Sequence, residues 1–128
     1  MKKRILFISL FIISCKSINN INKAKENWIN AYKSTVFISC LNQSFGEKFD
    51  TLLKSEQSIM ANFEVLEYAN TKIADSLGRN FALKILTPPK NSDFYGKKVI
   101  INNCLHLYRS KELDSIENSE YEKMLKNQ

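Results

Sequence analysis

Few residues in this chain have side chains suited to chemistry: three cysteines at positions 15, 40 and 104, one histidine at 106, and small groups of carboxylates. Cys104 and His106 stand two residues apart, and a thiolate with a nearby imidazole is the pairing that nucleophilic catalysis needs. Two positions along a helix rotate a side chain by about 200°, so within this triplet the thiol and the imidazole face opposite ways. Cys40 brought to His106 by the fold is the remaining route to such a pair. As zinc ligands, Cys40, Cys104 and His106 lack the close paired spacings of structural sites, and no fourth ligand is evident. A disulfide beside a surface histidine is the simpler reading, with no catalytic residue, no metal and no cofactor expected. Glu64, Glu67 and Asp75 offer carboxylates for acid/base work or a cation. With no sign that they converge, they read as a solvated face and a contact surface.

The compartment decides what the cysteines do. Lys2-Lys3-Arg4 precede the apolar run 5–13, which is too short to span a bilayer and has the layout of a secretory signal. Ile12-Ile13-Ser14-Cys15 resembles a bacterial lipobox. That resemblance implies cleavage after Ser14, lipid on Cys15, and a domain held to a membrane by acyl chains, facing the periplasm or the cell surface. The alternative is an ordinary secretory signal in which Cys15 is incidental. The chain then divides into a signal over 1–14, a tether over 15–22 and a helical domain over 23–128. Export would leave Cys40 and Cys104 as an even pair in an oxidising compartment, where a disulfide is the default. It would close a loop of about 65 residues and contribute roughly 3–5 kcal/mol. In a cytosolic protein the same two residues would be buried free thiols.

Hydrophobic periodicity supplies the elements that must position these residues. The segment 17–22 is polar, rich in asparagine and without period, as a tether would be. A helix is expected from about Lys23, because Trp28, Ile29, Tyr32, Val36, Phe37, Cys40 and Leu41 form a broad apolar face. Gly46 suits its end. Phe49, Leu52 and Leu53 make a short amphipathic stretch, and Ser55 with Glu56 reads as a new N-terminus. Ile59, Phe63 and Leu66, then Ile73, Leu77, Phe81 and Ile85, predict two helices over about 55–69 and 71–86, or one bent helix, with a cap at Asn70-Thr71. Gly78 costs about 1 kcal/mol inside the second unless another helix packs closely there. Thr87-Pro88-Pro89 stops the helix. The polar loop 90–96 follows, then a helix over 97–109 with Cys104, Leu107 and Tyr108 on one face. Ser110 caps a last helix to about Lys126. The sum is an all-α bundle of about five helices, stapled by one disulfide.

One domain is all that 128 residues allow here. The net charge is +6, but without Lys2, Lys3 and Arg4 the balance is 16 basic against 13 acidic residues, or +3. The lysines are interspersed with acids where a nucleic-acid binder would cluster them, so no nucleic-acid partner is expected.

The run from Asn103 to Leu113, NCLHLYRSKEL, carries a resemblance of its own. Its Cys-Leu-x-Leu-Tyr-x-Ser-Lys-Glu-Leu pattern, with Trp28, Tyr32 and Cys40 on an earlier helix, resembles the type VI secretion amidase immunity proteins over about Trp28 to Leu113. Members often have lysine and aspartate where this chain has Asn103 and His106, and are commonly soluble in the periplasm. The resemblance implies a small exported all-α domain, often a homodimer, that binds and blocks a papain-like peptidoglycan amidase and so protects the producing cell's wall. It also implies cysteines paired between an early and a late helix, here Cys40 and Cys104. For contact with such an amidase, Lys90, Asn91 and Asp93 in the exposed loop are the first candidates and Glu64 and Glu67 the second. The competing reading is an envelope lipoprotein with a structural or assembly role on the same scaffold.

Overall fold

The computed structural model describes residues 2–55, 65–93 and 95–127, with side chains from residue 20 onward. They form five helices: α1 (Lys2–Phe45), α2 (Glu47–Ser55), α3 (Tyr68–Leu83), α4 (Ile100–Tyr108) and α5 (Lys111–Lys126). No strand occurs among the described residues. The architecture is the small all-α bundle that the periodicity predicts.

α1 is the axis of the bundle, and α3, α4, α5 and α2 all touch it. Trp28, Tyr32, Val36, Cys40 and Leu41 are buried along its face. Two clusters share that face. Trp28, Tyr32 and Val36 meet Leu66, Ala74, Leu107, Leu113 and Tyr121 in the first. Cys40 and Leu41 meet Ala82, Ile85 and Cys104 in the second. Phe81 packs against both.

α3 lies on α1 through Asn70, Ala74, Gly78 and Ala82, all buried. Small residues at i, i+4 and i+8 let two helices approach closely. A Cβ on Gly78 would stand against the backbone of α1, 2.9 Å from Ser39 Cβ and 3.0 Å from the Cys40 nitrogen. The glycine suspected of weakening the helix is therefore what lets it dock.

Gly46 ends α1 as expected, with φ +62 and its N–H donating to the Asn42 carbonyl at 2.8 Å. Ser110 caps α5, its Oγ accepting from Leu113 N at 3.1 Å. Several expectations need correction. The helix predicted from about Lys23 is continuous from Lys2. The polar segment 15–22 contains neither glycine nor proline, so extending an existing helix through it costs a few tenths of a kcal/mol per residue. Ser55 closes α2 instead of opening a helix, and its Oγ donates back to the Leu52 carbonyl at 2.7 Å. Residues 65–67 are not α-helical, so the helix expected over about 55–69 does not run unbroken to 69, and Ile59, Phe63 and Glu64 lie outside the described residues.

α3 begins at Tyr68, not at the Asn70-Thr71 cap. Thr71 Oγ1 donates to the Glu67 carbonyl at 3.1 Å from inside the first turn, and burial of Asn70 against α1 overrides its cap preference. The helix closes at Leu83, three residues early, with Lys84 and Ile85 making tight bonds to the Phe81 and Ala82 carbonyls. α4 starts at Ile100 rather than 97. Gly96 enters with φ +77, and Lys97 and Lys98 would face the positive end of a helix dipole. Asn103 Nδ2 ties the first turn to the Val99 carbonyl at 2.7 Å.

Candidate partner-binding surface

Cys40 on α1 and Cys104 on α4 are joined by a disulfide, with Cα atoms 5.9 Å apart and both residues fully buried. The bond occupies the two thiols that a nucleophile or a zinc site would need. His106 is exposed, as the helical turn from Cys104 requires. Among the described residues, no three His, Cys, Asp or Glu side chains are grouped to hold a metal ion.

Asp75 is a link between helices more than a solvated carboxylate. It accepts from Ser39 Oγ on α1 at 2.7 Å and from Arg79 Nε at 2.8 Å, and Arg79 reaches Gln43 at 3.4 Å. Glu67 is exposed at the N-cap of α3. Lys90, Asn91 and Asp93 are exposed together on one short loop. Consecutive turns shape that loop, Ser92 N donating to the Pro89 carbonyl at 2.9 Å and Tyr95 N to the Ser92 carbonyl at 3.0 Å. Buried Ile85, five residues before it, and half-buried Ile100, four residues after it, belong to the second core cluster. Cys15 falls where only the backbone of α1 is described. No helix among the described residues is long and apolar enough to cross a membrane.

Two surface hollows flank α4. One, about 290 Å³, is lined by Leu41, Phe45, Lys48, Phe49, Leu52 and Ile101. α2 buries none of its residues, so its apolar side opens into this hollow. The other, about 350 Å³, lies where α4 meets α5 and is bordered by His106, Arg109 and Lys111.

The polar group that sequence reading missed is Glu117. It is 4 % exposed, on the inner face of α5 between Leu113 and Tyr121. Burial, with Asp114 nearby, pushes its carboxyl up to about 7 against the opposing pull of Lys33. Tyr32 lies within its influence, its hydroxyl pushed up to about 12 by burial and by Glu120 and Glu117. Lys33 loses by burial but is carried above its usual value by a 2.7 Å bond to Asp114 and by Glu117. The available signal was spacing: Leu113, Glu117 and Tyr121 fall at i, i+4 and i+8, which puts a carboxylate in the middle of an apolar stripe.

Compared with protein families, curated proteins and solved structures, the chain matches none.

Proposed function

We propose that this is an exported, lipid-anchored immunity protein that binds a peptidoglycan amidase and occludes its cleft, protecting the wall of the cell that makes it. The observation that carries this reading is the Cys40–Cys104 bond between an early and a late helix, the pairing that the resemblance of NCLHLYRSKEL implies. Inhibition on this reading is steric, and no group of this chain attacks a bond. The loop bearing Lys90, Asn91 and Asp93 enters the cleft, with Glu67 as a secondary contact. A loop shaped by its own turns loses less freedom on docking than an unstructured one, which lowers the entropic cost of binding. Cys15 supplies the lipid, and the helical backbone of 15–22 continues α1 toward the anchor.

Co-purification tests it. An amidase encoded beside this chain, with a cysteine–histidine pair, is expected to be retained by the oxidised protein, and no binding to that amidase would sink the proposal. The second reading, an envelope lipoprotein with a structural role, draws on the continuity of α1, whose part from Cys15 to Phe45 is a single helix about 46 Å long that could serve as a spacer. An adjacent set of envelope-assembly genes in place of an amidase would favour it.

A further inference from the structure

Packing alone would fill position 117 with an apolar residue. α5 meets α1 through Leu113, Glu117 and Tyr121, the three buried residues of that helix. Opposite them stand Trp28 and Tyr32, stacked at 5.2 Å, with Tyr121 edge-on to Trp28 at 5.3 Å. Three polar atoms in this seam, Trp28 Nε1, the Tyr32 hydroxyl and Glu117 Oε2, are buried without a hydrogen-bond partner among the described residues. The groups that influence Glu117 are few. From α1 come Lys33 and the Tyr32 hydroxyl, and on α5 itself Asp114 stands one turn away. Glu120 acts on the same Tyr32, and from α4 the Tyr108 ring lies 5.1 Å from Lys33 Nζ. Lys33, the cation that would balance a carboxylate at 117, is already bonded to Asp114.

We propose that α5 is a proton-controlled latch on α1: it is closed while the Glu117 carboxyl is neutral and loosened when that carboxyl ionises. A neutral carboxyl is both donor and acceptor, so it suits a seam containing a hydroxyl and an indole N–H. A buried carboxylate without its own cation must recover solvent, and on α5 the way to do so is to swing out. Swinging out lifts Leu113 and Tyr121 from the first core cluster, while the Cys40–Cys104 bond keeps α4 in place. The rise of the Glu117 carboxyl to about 7 sets the range in which the latch works.

Trp28 is the one tryptophan of the chain and sits on the seam, so its emission reports the latch directly. The oxidised full-length protein, titrated from pH 5 to 9, is expected to show a single emission change with midpoint near 7. Amide exchange over α5, corrected for its intrinsic pH dependence, should quicken roughly tenfold or more over the same range. Glu117→Gln, which keeps the shape and cannot ionise, should hold the low-pH emission throughout, and His106→Gln should leave the transition in place. A wild-type emission and exchange profile flat from pH 5 to 9 overturns the proposal, whatever the variants do. So does a transition that survives in Glu117→Gln or vanishes in His106→Gln.

Discussion

Gly78 on α3 rests against the Val36 carbonyl of α1, close enough that a methyl group at position 78 would overlap backbone. The contact couples two elementary effects of opposite sign. Replacing glycine by alanine favours the helix by about 1 kcal/mol, whereas forcing two helices apart costs about 1–3 kcal/mol. Backbone cannot rotate away as a side-chain tip can, so the second effect governs.

Gly78→Ala should therefore destabilise the protein by up to about 2 kcal/mol in chemical denaturation, the overlap cost less the helix gain. A stabilised variant would mean that the helices are not in backbone contact at this point.

Reduction is expected to act more strongly. Cys40 and Cys104 are 64 positions apart, and opening a loop of that size removes roughly 3–5 kcal/mol. Denaturation with and without reductant measures it, and the double variant Cys40→Ser/Cys104→Ser should match the reduced wild type within about 1 kcal/mol. Equal midpoints for the oxidised and reduced forms would contradict the cross-link's structural role.

Glu117 gives the stability a pH dependence whose sign follows from proton linkage. Its folded-state value is raised from 4.5 to about 7, so between these values the folded protein holds a proton that the unfolded chain has released. The stabilisation is complete below about 4.5, falls as pH rises, and is gone above about 7. The full amplitude is about 3 kcal/mol. Urea denaturation at pH 5 and pH 8 should differ accordingly in the wild type, and Glu117→Gln should flatten the difference. A wild type more stable at pH 8 than at pH 5 would contradict this account of the seam.

Ser110→Ala removes the oxygen that accepts from Leu113 N and should cost about 1 kcal/mol. Ser110→Asp should keep most of that stability, since aspartate caps as well and suits the positive end of the α5 dipole. Equilibrium unfolding of both variants separates loss of the cap from loss of the hydroxyl as such.

Features that depend on a few neighbouring residues were legible in the sequence. The apolar face from Trp28 to Leu41, the stop at Gly46 and the cap at Ser110 each follow from local spacing or local backbone preference. What was misread depends on packing partners. Asn70 looks like a cap until α1 is placed against it. Ser55 opens a helix or closes one according to which carbonyl its hydroxyl finds. Glu117 went unread altogether, because its burial is set by α1, where Tyr32 stands 85 positions earlier. Among the site residues, the oxidised pair and the exposed loop were expected; the buried carboxyl required the seam to be seen.

The most direct measurement of the central claim is peptidoglycan hydrolysis by the amidase encoded beside this chain, titrated with the oxidised protein. The account predicts that activity falls to near zero at one equivalent. It also predicts that combined Lys90→Ala, Asn91→Ala and Asp93→Ala substitutions raise the concentration needed at least tenfold without changing the unfolding midpoint. Undiminished hydrolysis in the presence of excess oxidised wild-type protein would contradict it.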